Sequence, residues 1–282
     1  MSQPNSKAKK LRLKAYLQVA PVDLGSAIRL YVSYLASFVI MVLFPTRRYH
    51  VEDFIPGRSV LTVKALGVLA NIRPRSEDLH VMTPAYEPIT SNFFTVEPGS
   101  VVVDVGAHIG RYTLTAAQKA RKVISIEADP SNFSLLRQNI RLNRFSNVIP
   151  LCLGISRERG KSVLHVAERS SGSTSSLERS WSGTPADAHT VEIRCETLDN
   201  LIEALGVGTV DWLKIDVEGH EVSVLQGAPK TLARTQRLVI EIANGNEEAC
   251  RGLTCKAGLD VVGVGEDYGR AANWLFIRKH SL

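Results

Sequence analysis

A glycine-containing turn beside an acidic residue is the first part of this chain whose residue types could do chemistry. It follows the apolar run at residues 101–105 and reads Asp104-Val105-Gly106-Ala107-His108-Ile109-Gly110. Glycine at such a turn lets the backbone approach a ligand closely, and a second glycine permits close packing of the following helix on the strand. Backbone amides at the start of that helix can hold an anionic group. The turn therefore predicts a nucleotide-binding site.

The spacing of the glycines narrows the kind of nucleotide. Gly106 and Gly110 are separated by three residues, whereas a dinucleotide fingerprint requires G-x-G-x-x-G to clear a pyrophosphate. His108 stands where the second glycine would be, and the Asp104 carboxylate would repel a pyrophosphate. The same carboxylate would attract the ammonium and sulfonium groups of S-adenosylmethionine. These features disfavour a nicotinamide-dependent oxidoreductase and favour a site for S-adenosylmethionine.

A second acid supports this interpretation. Glu127 ends the next apolar run, at residues 123–127, where a carboxylate can accept hydrogen bonds from both ribose hydroxyls of an adenosine. We therefore predict that the cofactor lies between two strand ends. The predicted cofactor contacts are Asp104, Gly106, Ala107, His108, Gly110, Glu127, Ala128 and Asp216.

A later segment concentrates ionisable groups, and reads Lys214-Ile215-Asp216-Val217-Glu218-Gly219-His220-Glu221. On an extended strand end Lys214, Asp216 and Glu218 share one side, which is costly to bury unless the strand opens into a cleft. We predict Asp216, Glu218 and His220 as catalytic residues, any of which could remove a hydroxyl proton. His220 has the most suitable intrinsic basicity, and its alternative role is to orient a loop.

Two further alternatives concern the charges of this cleft. Glu241 either faces the cleft or forms an ion pair with Lys214 across neighbouring strands. Asp216 and Glu218 alone do not complete the oxygen ligand set of a divalent cation, so no metal site is predicted.

These residues need a scaffold that places several strand ends side by side. From residue 100 onward, apolar runs alternate with helical patterns, which predicts right-handed β-α-β crossovers. The expected fold is α/β: a Rossmann-like, seven-stranded, mostly parallel sheet with helices on both faces. Strands are predicted at 101–105, 123–127, 147–153, 210–217, 238–243, 260–265 and 274–278, and helices at 109–119, 130–143, 198–205, 221–232 and 247–256.

Several of these motifs together resemble the FkbM-type methyltransferase family. The matching segments are residues 104–110, Ile126-Glu127-Ala128-Asp129-Pro130, Ser131-Asn132-Phe133 with the helix after it, Thr197-Leu198-Asp199 and residues 213–221. The resemblance covers residues 96–243 well and extends to about 279. It implies S-adenosylmethionine as donor and O-methylation of a sugar or natural-product hydroxyl. His108 replaces the family's usual Asn, and Ala128 its usual Pro.

The basic charge of the chain is concentrated at its start. Residues 1–50 hold eight Lys or Arg and one acid, for a net charge of +7, so the remaining residues sum to −1 in a chain of +6. A nucleic-acid-binding catalytic domain carries its own positive face. A small-molecule or glycan acceptor is therefore predicted in place of a nucleic acid.

Three regions are expected: an N-terminal extension (1–50), a small β-rich lead-in (51–98) with strands at 59–66 and 78–82, and the methyltransferase domain (99–282).

The apolar run at 30–44 is shorter than the roughly 20 residues that span a bilayer. It is read as a helix packed on the domain, an interfacial membrane helix or a short span. A cytoplasmic protein is expected, with membrane contact through residues 28–48. The alternative functions are a membrane-tethered protein that binds S-adenosylmethionine without turnover and a nucleic-acid methyltransferase.

The segment at 154–190 is rich in Ser and Gly, and interrupts the regular alternation of strands and helices. A hairpin is predicted around residues 163–166 and 190–194. Long loops within α/β domains often cover the active site, so residues 170–177 are predicted to form a lid that excludes water.

Overall fold

The computed structural model describes residues 14–44, 50–166, 175–178 and 189–279. The strands in chain order are β1 (Ala20–Pro21), β2 (Leu61–Ala65), β3 (Val68–Ile72), β4 (Val101–Val105), β5 (Lys122–Glu127), β6 (Val148–Cys152), β7 (Gly154–Ile155), β8 (Gly160–Val166), β9 (His189–Glu196), β10 (Val210–Ile215), β11 (Thr235–Ala243), β12 (Leu259–Asp267) and β13 (Ala271–Arg278). The helices are α1 (Leu24–Leu43), α2 (Asp78–Val81), α3 (Pro88–Phe93), α4 (Arg111–Ala117), α5 (Pro130–Leu142), α6 (Leu198–Ala204), α7 (Glu221–Gln226), α8 (Pro229–Ala233) and α9 (Glu247–Lys256), with a 3₁₀ turn at Val51–Phe54.

A seven-stranded sheet in the order β12-β13-β11-β10-β4-β5-β6 forms the centre of the molecule. The neighbours from β11 to β6 run parallel, and β13 and β12 are added antiparallel at one edge. This confirms the predicted Rossmann-like fold. All five residues of β4 are buried, as a continuous apolar run in a sheet covered on both faces requires.

Alternate side chains of the central strands enter different cores. Val102 packs in a cluster with α4, α5 and the lead-in, while Val103 packs in a second cluster with α6 to α9. Trp212 on β10 is the largest fully buried side chain and contacts Phe93 and Phe94, with ring centroids 5.4 and 4.8 Å away. The sheet is thereby fixed between two helical layers, with its strand ends in register.

The lead-in forms a separate three-stranded sheet, β1-β2-β3, to which the N-terminal extension contributes β1. Asn139 of α5 and Asn143 at the C-cap of α5 join this sheet to the main domain, since their side-chain oxygens accept hydrogen bonds from the amides of Asn71 and Leu69 at 2.7 and 2.8 Å. The predicted strand at 78–82 is wrong. Asp78 begins the short helix α2, and its carboxylate accepts hydrogen bonds from Arg73.

The predicted hairpin and the helix predicted at 221–232 have different outcomes. The predicted hairpin is confirmed by the antiparallel pairing of β8 with β9, although residues 167–174 and 179–188 lie outside the described residues. The single helix predicted at 221–232 is wrong, because the chain breaks it into α7 and α8. Gly227 lies at the break, where a Cβ atom would come within 2.1 Å of the Ser156 carbonyl oxygen, and Pro229 then starts α8.

Candidate active site

The turn after β4 begins at Gly106, which has a φ of +83°. Its amide and that of Ala107 donate to the Ile126 carbonyl oxygen, at 2.9 and 3.0 Å. A Cβ atom on Gly106 would lie 1.7 Å from the Asp216 carbonyl oxygen. The glycine is therefore required by the close approach of two protein loops, and not only by the approach of a ligand.

We expect Gly106→Ala to destabilise the protein much more than Gly99→Ala. Gly99 has a nearly identical φ of +85° but no atom within 4 Å of its ideal Cβ position, so it isolates the backbone cost of about 1–2 kcal/mol. Gly106→Ala should cost about 1–3 kcal/mol more, because the turn must move away from Asp216. Urea unfolding of both variants measures the difference, and equal losses would contradict the steric argument.

The carboxylate of Glu127 is held by the backbone at the end of β5. Its two oxygens accept hydrogen bonds from the amides of His108, at 2.7 Å, and Asp129, at 2.9 Å. Burial raises the pKa of Glu127 to about 7, although these donors oppose the shift. The Asn132 side chain also hydrogen-bonds to this carboxylate, which with about four lone-pair sites in all keeps capacity for a ribose hydroxyl. The geometry therefore fits the predicted ribose contact.

Asp104 is almost fully buried at the end of β4, and only one of its two oxygens is engaged by protein. Thr113 Oγ1 donates to Oδ2 at 2.6 Å. Oδ1 has no hydrogen-bond partner among the described residues. Burial raises the pKa of this carboxyl. A buried acceptor without a donor is costly, so the site fits the ammonium group of the predicted cofactor.

His108 and Gly110 have roles that the sequence did not indicate. The imidazole of His108 reaches the lead-in, where Nε2 lies 3.2 Å from Arg73 Nη2 and 3.6 Å from Asp78 Oδ1. Gly110, with a φ of +104°, would place a Cβ 2.8 Å from Leu136 Cδ1. Since Leu136 belongs to α5, Gly110 permits packing of one helix on another and not, as expected, of a helix on a strand.

One cleft at the carboxyl ends of β4, β5, β10 and β11 collects nearly all of the predicted site residues. Gly110 alone among them does not line it. Those that line the cleft are Asp104, Gly106, Ala107, His108, Glu127, Ala128, Asp216, Glu218 and His220.

One end of the cleft is rich in carboxylates. Oxygen atoms of Glu87, Asp216 and Glu241 all lie within 4.8 Å of one another. Lys214 Nζ lies 2.9 Å from Asp216 Oδ2 and stands 4.8 Å from the ring centroid of Tyr112. Burial disfavours the charged form of Lys214. The surrounding carboxylates, led by Asp216, outweigh this effect and raise the pKa of Lys214 above its usual value.

Glu241 differs from the other two carboxylates. Glu87 accepts hydrogen bonds from the hydroxyls of Tyr112 and Tyr268, and Asp216 pairs with Lys214. Glu241 is 8% exposed, and no hydrogen bond or ion pair reaches its carboxylate from the described part of the chain. Burial and the charges of Asp216, Glu218 and Glu87 raise its pKa well above the usual value. Of the two alternatives, Glu241 therefore faces the cleft, and the ion pair with Lys214 does not form.

The segment after β10 does not continue as the extended strand that the alternating charges suggested. The strand ends at Ile215, and Glu218 adopts a φ of +51° in the following turn. Its carboxylate lies 3.8 Å from Arg270 Nη2, while its carbonyl oxygen accepts a hydrogen bond from Ser176 Oγ at 2.5 Å. Lys214 and Asp216 are therefore in contact, and Glu218 belongs to a separate group of interactions.

His220 has both ring nitrogens engaged. Nδ1 lies 2.8 Å from Glu178 Oε1, and Nε2 lies 3.0 Å from Ser156 Oγ. Ser175 and Leu177 line the cleft beside these contacts. His220 thus orients the described part of the serine-rich segment over the cleft. The lid prediction concerned residues 170–177, of which only 175–177 are among the described residues.

The family model of the methyltransferase FkbM domain matches residues 104–279, more than half of the chain. This chain belongs to the FkbM methyltransferases. Family membership makes it an S-adenosylmethionine-dependent methyltransferase. It confirms both the resemblance and the cofactor that the acids at the two strand ends had indicated.

Several known proteins are similar to this FkbM methyltransferase. Hexuronic acid methyltransferase AglP of Haloferax volcanii is 30% identical over 149 residues, which cover 53% of this chain and 58% of that protein. The tRNA (guanine(37)-N(1))-methyltransferase Trm5b of Pyrococcus abyssi is 38% identical over 66 residues, 23% of this chain and 20% of that protein. A crystal structure of an FkbM methyltransferase from Methylobacillus flagellatus KT has a TM-score of 0.47 and 17% identity, over 95% of this chain and 58% of that chain. The chain thus spans less than two thirds of each relative.

Sequence reasoning missed two residues of the FkbM methyltransferase that lie beside the cleft carboxylates Asp216 and Glu241. Glu87 lies in the lead-in, outside every motif, with a φ of +46° that is uncommon for a non-glycine residue. Tyr268 lies in the loop between β12 and β13 and donates to Glu87 at 2.9 Å. Neither position carries a sequence signal for the site, because the contact joins residues 181 positions apart.

We expect His220→Ala to release the segment at 175–178 while leaving cofactor affinity unchanged. Loss of one charged hydrogen bond should speed amide hydrogen exchange there about tenfold or more. His165→Ala is the control, because the backbone hydrogen bonds between His165 and Ser176 survive that change. Exchange mass spectrometry and calorimetry with S-adenosylhomocysteine measure the two effects. Unchanged exchange would show that His220 does not position the segment.

Proposed function

We propose that this FkbM methyltransferase methylates a hydroxyl group of an uncharged region of a sugar or glycan. The observation that carries the proposal is the buried, unpartnered carboxylate of Glu241 at the acceptor end of the cleft. A hydroxyl acceptor must lose its proton as the new bond forms, so a carboxylate that is free to accept it suits this chemistry.

The donor end of the cleft has the groups that S-adenosylmethionine requires. Glu127 would accept from the ribose hydroxyls, and the free oxygen of Asp104 would accept from the amino group. When bound, S-adenosylmethionine supplies a methyl group on a positively charged sulfur, which the acceptor oxygen takes as the carbon–sulfur bond breaks. The protein's main contribution is to hold donor and acceptor in line, which can supply roughly 7–11 kcal/mol of the acceleration.

Glu241 would act as the base at the other end. Its raised pKa makes it a stronger proton acceptor than an ordinary glutamate, which suits the removal of a hydroxyl proton. Asp216 is held by Lys214, and both nitrogens of His220 are engaged by Ser156 and Glu178. Asp216 and His220, predicted as catalytic, are therefore proposed as positioning residues.

The charge of the cleft supports a neutral acceptor region over a polynucleotide. Asp216 and Glu241 line this part of the cleft with Glu87 beside them, and Lys214 pairs with Asp216 alone of the three. Closely grouped carboxylates repel the phosphates that dominate nucleic-acid affinity. The similarity to the Haloferax volcanii hexuronic acid methyltransferase also supports a sugar acceptor.

The experiment is methyl transfer from isotope-labelled S-adenosylmethionine to separate pools of neutral glycosides, uronic acid glycosides and total tRNA. We expect label in a glycoside fraction, with the methyl ether located by nuclear magnetic resonance. Label in tRNA, or on the uronic acid carboxylate as an ester, would overturn the proposal. The Glu241→Gln variant run beside the wild type reports whether the same cleft performs the reaction.

A further inference from the structure

Helix α1 presents an apolar face that the described chain does not cover. It has 20 residues, and Asp23 caps its start by accepting a hydrogen bond from the Ser26 amide at 2.8 Å. It is also the one helix in the described ranges that is long and apolar enough to cross a membrane. Its exposed apolar side chains are Leu24, Ile28, Tyr31, Val32, Leu35, Phe38, Val39, Val42 and Leu43.

The opposite face of α1 is attached to the protein along its length. Ser26, Leu30, Ser33, Tyr34 and Ser37 are buried. Ser33 Oγ donates to the Val51 carbonyl oxygen, and Tyr34 donates to the Tyr16 carbonyl oxygen at 2.8 Å. From residue 26 to residue 37 the helix advances about 16 Å. Over that length it lies flat on the lead-in.

This attachment argues against a helix that spans a bilayer. Arg29 lies between these buried positions, and its guanidinium donates to the carbonyl oxygens of Pro56 and Ser59 at 2.6 and 2.7 Å. Spanning would either break these polar contacts or carry them into hydrocarbon, where unsatisfied polar groups are costly. A helix fixed flat with its apolar face outward instead suits the boundary between lipid headgroups and acyl chains.

The charges that flank α1 in the sequence indicate the kind of membrane surface to which its apolar face would bind. Five basic residues precede the helix and Arg47 and Arg48 follow it, while Asp23, the one acid among residues 1–50, is already used as its cap. The five are Lys7, Lys9, Lys10, Arg12 and Lys14. Basic residues beside an apolar face favour anionic lipid headgroups. We propose that α1 docks this methyltransferase on an anionic membrane surface as an interfacial helix.

The test compares wild-type protein with two matched double variants by vesicle flotation. Val32→Asp with Val42→Asp places two charges on the exposed face of α1, at side chains 48% and 60% exposed. Val163→Asp with Val262→Asp places the same charges at side chains 47% and 48% exposed on β8 and β12. The vesicles are phosphatidylcholine alone, or phosphatidylcholine and phosphatidylglycerol at about three to one.

We expect wild type and the β8–β12 variant to float with the anionic vesicles and to be released by an alkaline carbonate wash. The α1 variant should bind at least about tenfold less, because two exposed valines that would enter the lipid boundary become charged. Three results would overturn the proposal: equal binding by the two variants, equal binding to both vesicle types, or retention after the wash. A wild-type dimer that ignores vesicles and dissociates in the α1 variant would assign the face to a second copy of the chain.

Discussion

Glu241→Gln is expected to lower the methyl-transfer rate by about 10²- to 10⁴-fold, the usual contribution of a general base, while affinity for S-adenosylhomocysteine stays unchanged. The substitution keeps the size of the side chain but removes its ability to accept a proton. Glu127 and Asp104, which we assign to the donor, are not altered. Single-turnover rates and calorimetry on the same preparations separate the two effects.

The pH dependence of the methyl-transfer rate, compared between wild type and Glu241→Gln, is a second test of the Glu241 carboxyl. Burial and the charges of Asp216, Glu218 and Glu87 raise the pKa of Glu241, so it accepts a proton only once pH exceeds that raised value. Wild-type activity should therefore fall as pH decreases through it, and the variant should lack this step. Folding stability changes with pH in the opposite direction to activity. Because the pKa of Glu241 is higher in the folded than in the unfolded protein, its contribution to stability is lost as pH rises through the folded-state pKa. The variant should accordingly melt above wild type at alkaline pH, which would show that its low rate does not come from unfolding.

Glu52→Gln is the matched control for Glu241→Gln. Glu52 is also a buried glutamate whose pKa is raised by burial, but it lies in the lead-in and accepts a hydrogen bond from Tyr16 at 2.8 Å. Its substitution should leave the rate unchanged. If Glu241→Gln is as active as this control while Asp216→Asn is not, then the base is Asp216 and the proposed assignment is wrong.

The sheet could be predicted from the sequence because its strands are continuous apolar runs. A strand buried on both faces, such as β4, has a signal that does not depend on its neighbours. The same is true of the cap at Asp129 with Pro130 following, which starts α5 as expected. Residues 78–82 were misassigned because a short apolar stretch does not distinguish a strand from one helical turn. There the interaction between Asp78 and Arg73 determines the outcome.

The part of the cleft that we assign to the donor was predictable for a similar reason. Asp104 and Glu127 each end a strand, and parallel neighbouring strands bring such ends together whatever the loops do. The part that we assign to the acceptor depends on contacts between distant elements. Glu87 reaches the carboxylates of Asp216 and Glu241 from the lead-in and is held by Tyr112 and Tyr268. No local pattern encodes these contacts, so the motif after β10 alone could not identify the residue best placed as base.

The second large effect is expected for substitution of Glu127, the proposed contact of the cofactor ribose. Glu127→Ala should weaken S-adenosylhomocysteine binding by about tenfold to 150-fold for each lost hydrogen bond to the carboxylate, equivalent to about 1.5–3 kcal/mol each. Because Glu127 also accepts from the amides of His108 and Asp129, loss of affinity alone could come from a displaced turn. The 2′-deoxy analogue of S-adenosylhomocysteine resolves this. Wild type should bind the analogue more weakly than the parent compound, whereas Glu127→Ala should bind both equally.

The pKa of Glu127 provides a second test, the pH dependence of binding, which needs no ligand analogue. With a value of about 7 in the free protein, the carboxyl is ionised at pH 8 and mostly protonated at pH 6. Ribose hydroxyls donate best to the ionised form, so binding should weaken about tenfold as pH falls from 8 to 6. Glu127→Ala should remove this dependence, and Glu52→Gln should retain it. Affinity that is independent of pH in the wild type, together with equal loss on the 2′-deoxy analogue in both proteins, would place the ribose elsewhere in the cleft.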